Sequence, residues 1–286
     1  MTYRQLLCAA RDSLKSAGNE SPDAEARMML VFFLGADRLT LIDKADEPVD
    51  KKNGDAVLQA VRKRSEGYPL QYIFGKWEFM GIPLCVGEGV LIPRDDTEVC
   101  VRECISLMER ERIQKPRIIE LCSGSGAISL ALAERFPESE ITAVELSDKA
   151  YDYLCRNIAL NGAGNIIKPV KADVFIAGDD FADGSFDVLI SNPPYVETGE
   201  IPLLQKEVGF EPAMALDGGS DGLDFYRCIS EKWLKKLKKG GIVSLETGEN
   251  QGSAVSALLK KGGVSEVSVI RDIAGLERCT AGIFRQ

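Results

Sequence analysis

The segment best suited to chemistry is Ser191-Asn192-Pro193-Pro194-Tyr195, which directly follows the apolar run Phe186–Ile190. Proline confines the residue before it to extended conformations, so Asn192 and Pro193 are both held in β or polyproline geometry. That aims the Asn192 side-chain carbonyl and the Pro193 backbone carbonyl in fixed directions. Two acceptors suit the two N–H donors of a planar NH2 group. The nitrogen of an amide or exocyclic amine is a poor nucleophile, because its lone pair is delocalised into the neighbouring π-system. Holding both N–H bonds favours pyramidalisation and turns the lone pair toward an electrophile. Such orientation supplies on the order of 7–11 kcal/mol at best, and it needs no histidine base. Tyr195 is expected to cover the planar acceptor with its ring. The plainer reading is a rigid loop after a strand.

Three further features fall at the ends of predicted strands, where open α/β sheets bind ligands. The turn Glu120-Leu-Cys-Ser-Gly-Ser-Gly126 brings Cys122, Ser123, Gly124, Ser125 and Gly126 between a strand and a helix. Its glycines let backbone approach a ligand closely, and the helix start offers N–H donors to an anionic group. Ser129 stands where a dinucleotide fingerprint needs its third glycine, which disfavours NAD. Glu145, ending the next strand, can accept both hydroxyls of a ribose. Asp173, with Val174 beside it, is placed to reach an adenine amino group. Together these residues describe an adenosine pocket. Beside the 191–195 segment, they point to methyl transfer from S-adenosylmethionine to an NH2-type nitrogen, with S-adenosylhomocysteine as product.

The chain of 286 residues has 45% hydrophobic and 28% charged residues and a formal net charge of −9. That length favours two folded units. The acidic balance leans away from phosphate backbones, whose binders usually carry a basic surplus. Histidine is absent, which removes histidine triads, bases and metal ligands. The eight cysteines form no C-x-x-C pair, so neither a zinc site nor any other metal is expected, and scattered thiols suit a reducing cytoplasm. No run approaches the roughly 20 apolar residues of a membrane span. No membrane association is expected.

Residues 1–67 read as helices only. Leu6, Leu7, Ala10 and Leu14 recur at helical spacing, Ser21-Pro22-Asp23 marks an N-terminus, and residues 50–64 are amphipathic. Residues 68–92, with Gln71-Tyr-Ile-Phe, Trp77-Glu-Phe and Met80-Gly81, are predicted as a β-hairpin linker. From residue 93 onward helix and strand patterns alternate. They predict an α/β, doubly wound, mostly parallel Rossmann-like sheet.

These motifs, taken with their surroundings, resemble the bacterial N5-glutamine methyltransferases that modify the Gly-Gly-Gln loop of peptide chain release factors. The similarity runs over nearly the whole chain. PLQYIFGKWEFMGIPLCVGEGVLIPRDDTE (69–98) and FEPAMALDGGSDGLDFYR (210–227) carry it most specifically, with IELCSGSGAISLALA (119–133), the NPPY segment and RDIAGLERCTAG (271–282). The resemblance implies that residues 122–126 and Glu145 hold the cofactor. Asn192 would touch cofactor and substrate, and Asn192–Tyr195 would bind the glutamine side chain. It also implies a helical N-terminal unit that docks the release factor, and a protein substrate rather than nucleic acid. Departures from the family pattern are Cys122 for a usual glycine, Asp95 for a proline, Val174 for an aromatic and Thr247 for a histidine. Three other readings use the same residues. They are glutamine methylation of a ribosomal protein, amino-methylation of adenine or cytosine in nucleic acid, and an adaptor with a vestigial cofactor domain.

Overall fold

The computed structural model describes residues 1–286, apart from the side chain of Arg38. The chain folds as two compact units, Met1–Gly75 with Gln205–Phe210, and Lys76–Leu204 with Glu211–Gln286.

The first unit is helical: α1 (Tyr3–Ser16), α2 (Pro22–Leu34), α3 (Arg38–Asp43), α4 (Lys51–Ser65) and α5 (Leu70–Phe74). Helix α1 opens with a reciprocal cap, in which Thr2 accepts from the Gln5 N–H and Gln5 accepts from the Thr2 N–H. Helix α2 begins at Pro22 and ends on Gly35 at φ 61°, but Ser21 makes no side-chain cap bond. Leu6, Ala10, Leu14, Met29, Leu30, Val57 and Val61 form the core. Gln71–Phe74, expected in a hairpin, instead form α5. Gly75 closes the turn at φ 67°, and the Phe74 ring stacks on Phe32 at 4.5 Å. A tertiary aromatic contact thus overrides β-favouring residue types. The hairpin itself is only β1 (Lys76–Phe79) and β2 (Ile82–Cys85). Its turn residues Met80 and Gly81 both have positive φ, the geometry of a two-residue hairpin loop.

In the second unit that hairpin precedes α6 (Thr97–Arg110), β3 (Arg117–Leu121), α7 (Ala127–Arg135), β4 (Glu140–Glu145), α8 (Asp148–Leu160), β5 (Ile167–Lys171) and β6 (Phe186–Ser191). After it come α9 (Asp224–Cys228), β7 (Leu237–Glu246), α10 (Gly252–Lys261), β8 (Val264–Arg271) and β9 (Glu277–Phe284). The seven-stranded sheet has the order β5-β4-β3-β6-β7-β9-β8. Its first five strands run parallel, and β9 and β8 close one edge antiparallel. Alternate strand residues enter opposite cores, so Ile118, Val188 and Ile190 pack in one and Ile119 and Leu189 in the other. Both faces are covered, which explains the continuous apolar runs of β3 and β6. The chain leaves β3 outward through β4 and β5, then returns to β6 on its other side. That reversal opens a crevice beyond the carboxyl ends of the strands.

Candidate active site

A cavity of about 430 Å³ lies in the second unit and draws residues from the ends of four parallel strands. Cys122 follows β3, Glu145 ends β4, Asp173 follows β5 and Asn192 follows β6, and all four line it. Val174 and Pro194 line it as well. Ser123, Gly124, Ser125, Gly126, Pro193 and Tyr195 are not among the lining residues.

Those that stand back shape the turn. Ser123 donates to the Val144 carbonyl through both its N–H and its hydroxyl. The Ser125 carbonyl accepts from Asn157 Nδ2 at 2.9 Å. Gly126, at φ 81°, also lacks room for a side chain, since a Cβ would lie 2.6 Å from Leu154 Cδ1. Its glycine thus serves packing of the turn onto α8. The Gly124 N–H donates to Glu145 Oε2 at 2.8 Å, and the Ser147 N–H to Oε1 at 2.7 Å. These bonds partly offset the burial of this carboxylate, which still raises its pKa overall. Each oxygen keeps a further lone pair for a hydroxyl. Asp173 Oδ1 accepts from the Phe175 N–H at 2.8 Å.

Asn192 Nδ2 donates to Thr97 Oγ1 at 3.2 Å, at the first residue of α6. Tyr195 does not cover the cavity as expected. Its ring packs with the core cluster of Tyr226 and Trp233, and its hydroxyl faces Glu246 Oε1 at 3.4 Å. Burial pushes the phenol pKa upward. The buried Glu246 carboxyl is itself pushed up to about 7, mainly by desolvation.

The loop after Asn192 is braced by the 210–227 segment. The Val196 N–H donates to the Leu216 carbonyl and the Gly218 N–H to the Val196 carbonyl, each at 2.8 Å. Gln251 Nε2 donates to the Tyr195 carbonyl at 2.9 Å. A Cβ on Gly218 would meet Tyr195 Cα at 2.7 Å and the Pro194 carbonyl oxygen at 2.9 Å, so only glycine lets these two backbones touch. The 210–227 segment is tied in turn to the L-I-P-R stretch. Buried Glu211 accepts from the Ile92 N–H at 2.9 Å and pairs with Arg94.

Sequence reasoning gave no role to Phe175, Phe225, Asp217 or Asp224, which also line the cavity. Phe175 and Phe225 meet edge-on at 4.8 Å, so an aromatic wall stands one residue beyond Val174. Glu145, Asp173, Asp217 and Asp224 line the cavity, and among the described residues no lysine or arginine does. That balance suits a cationic ligand and opposes a pyrophosphate. The described residues contain no cluster of three or more His, Cys, Asp or Glu side chains able to hold a metal ion.

Residues 103–208 match the family model of the methyltransferase small domain. In fold, the chain is similar to the hMettl16 catalytic domain in complex with MAT2A 3′UTR hairpin 6. The TM-score is 0.58 at 16% identity, covering 83% of each chain. Sheet order, strand-end cavity and domain match together define a methyltransferase. Residues 5–75 match the PrmC N-terminal domain. The release factor glutamine methyltransferase of Thermodesulfovibrio yellowstonii is 37% identical over 89% of this chain and 90% of its own. The one from Moorella thermoacetica is 36% identical over the full length of both. The chain belongs to the release factor glutamine methyltransferase family.

Proposed function

We propose that the chain methylates the side-chain amide nitrogen, N5, of the glutamine in the Gly-Gly-Gln motif of peptide chain release factors, with S-adenosylmethionine as methyl donor. The observation that carries this reading is the Asn192 amide. Its nitrogen is engaged by Thr97, which leaves Oδ1 to accept from a substrate NH2 at the rim of an acid-lined cavity. The cavity residues fit the donor. Glu145 retains acceptors for ribose hydroxyls, Asp173 suits an adenine amino group, and the acidic lining suits a sulfonium and an α-ammonium. S-adenosylmethionine, when bound, supplies a methyl group already activated on a cationic sulfur.

Asn192 and the Pro193 carbonyl orient the acceptor nitrogen, with both N–H bonds held and the lone pair directed into the cavity. Pro194, which lines the cavity, helps to exclude water from that nitrogen. The proton released on methylation passes to bulk water. In the same reading residues 1–67 dock the release factor, 68–92 link, and 93–286 carry the chemistry. The enzyme works in the cytoplasm on protein, without binding nucleic acid. No helix among the described residues is long and apolar enough to cross a membrane.

The test is incubation of the full chain with methyl-labelled S-adenosylmethionine and separate pools of release factor, ribosomal protein and nucleic acid, followed by peptide mass spectrometry. Addition of one methyl, 14 Da, on the Gly-Gly-Gln glutamine is the expected result. Label confined to ribosomal protein or nucleic acid overturns it.

A further inference from the structure

We propose that the Asp217 carboxylate supplies fixed negative charge at the acceptor end of the cavity, where it stabilises the positive charge that moves from sulfur toward the acceptor nitrogen. The inference rests on the glutamine-methylating reading and deepens it.

Asp217 lines the cavity, and the backbone sets it against the Asn192-Pro-Pro-Tyr loop. A parallel bridge joins Val196 to Asp217. The next residue, Gly218, lies so near that loop that a Cβ on it would stand 2.9 Å from the Pro194 carbonyl oxygen. Glu145 and Asp173 belong instead to the ends of β4 and β5, the adenosine side in this reading.

The charge of Asp217 is held in place and is not cancelled. Its Oδ1 accepts from the Thr198 hydroxyl at 2.7 Å and from the Gly219 N–H at 3.0 Å. Two donors on one oxygen fix the side chain and favour its ionised form, yet both donors are neutral. Asp224 lines the cavity too, but it pairs with Arg227 at 3.0 Å. Among the described residues no lysine or arginine lines the cavity to offset Asp217.

Methyl transfer moves charge in one direction. The lone pair of the acceptor nitrogen forms the new N–C bond, the S–C bonding pair stays on sulfur, and the proton on nitrogen leaves to bulk water. Until that proton departs, the nitrogen carries the positive charge that the sulfur has lost. A carboxylate already fixed at the acceptor end lowers the energy of that arriving charge without reorganising. Asp217 is only half-buried, so solvent damps its field and the effect is several-fold.

The experiment uses the full-length chain and compares wild type, Asp217→Asn and Asp217→Glu at pH 7.5. Asparagine keeps an oxygen for Thr198 and Gly219 and removes only the charge, whereas glutamate keeps the charge. Calorimetry measures affinity for S-adenosylhomocysteine, whose sulfur is neutral, and for sinefungin, in which an amine-bearing carbon replaces the methylsulfonium and carries the cation there. Asp217→Asn is expected to weaken sinefungin binding about 5–10-fold and S-adenosylhomocysteine binding less than about 2-fold. It should also lower kcat on intact release factor about 5–10-fold, with KM for release factor and melting temperature unchanged. Asp217→Glu should stay within about 3-fold of wild type for sinefungin. Equal losses for both ligands in Asp217→Asn overturn the proposal, as does wild-type sinefungin affinity or wild-type kcat in that variant. A sinefungin loss as large in Asp217→Glu overturns it too. A wild type that binds both ligands yet leaves glutamine unmodified defeats the functional reading instead, and the two affinities alone then decide the role of Asp217.

Discussion

In the proposed mechanism Asn192 orients the acceptor rather than transferring a proton. Asn192→Ala is therefore expected to lower turnover by about 100-fold or more. Its affinity for S-adenosylmethionine, measured calorimetrically, should change only a few-fold, because Glu145 and Asp173 remain. Cys122 presents a different kind of residue-scale feature. It sits at φ 57°, where a side chain costs about 1–2 kcal/mol, in the turn after β3, at a position where the resemblance noted in the sequence leads one to expect glycine. Glycine relieves that strain but has more freedom to lose on folding, about 0.5–1 kcal/mol. Cys122→Gly is thus expected to gain roughly 0.5–1 kcal/mol, a rise of about 1–3 °C in melting midpoint by scanning calorimetry. The position of Cys122 was legible in the sequence. Its strain was not, since φ follows from how the turn joins β3 to α7.

Two elements carry predictions of their own. The turn between β3 and α7 is built on Glu120, fully enclosed in β3, which accepts from both the N–H and the hydroxyl of Ser129. Burial outweighs these bonds and raises its pKa from 4.5 to about 8. Between those pH values the unfolded chain sheds this proton while the folded chain keeps it. Stability should fall as pH rises from about 4.5 to about 8 and then level off. Glu120→Gln removes that contribution, so its melting midpoint should vary less with pH over this range than that of wild type. The second element is the 210–227 segment behind the NPPY loop. Gly218→Ala forces a Cβ onto the Tyr195 and Pro194 backbone. It is expected to lower kcat at least about 10-fold, with cofactor affinity measurably less affected. Wild-type kcat in that variant would show that the loop tolerates displacement. The sequence marked 210–227 as distinctive, but its bracing role depends on a backbone contact that spacing cannot express.

Over the whole molecule the chain passes between its two compact units at residues 75/76, 204/205 and 210/211. The short return, Gln205–Phe210, is held within the helical unit by Arg64. That side chain donates to Glu25 at 2.7 and 2.8 Å and pairs with Glu207 at 2.8 Å. Tyr68 meets Phe210 edge-on at 5.3 Å in the same unit. Arg64→Ala leaves two carboxylates without their cation, at a cost of about 2 kcal/mol. That is less than the roughly 3–5 kcal/mol of a fully enclosed pair, because Glu207 is partly solvated. Hydrogen exchange should quicken at residues 207–210 more than at β3 or β6. Uniform quickening throughout the chain would contradict a local tie.

Some features of this protein depend on local pattern alone, and these the sequence determined. Apolar runs of strand length fixed β3, β4 and β6, the paired prolines fixed the backbone at Asn192, and an acid at the end of β4 marked the cavity. Each follows from sterics or periodicity within a few residues. Tertiary structure decided what depends on neighbours remote in the chain. Phe74 stacking on Phe32 made a helix of an aromatic segment, and Tyr195 turned into the core toward Glu246. Thr97, 95 positions away in sequence, met the Asn192 amide. Such outcomes are settled by which buried polar groups and rings find partners, and that is known only when the chain has closed on itself.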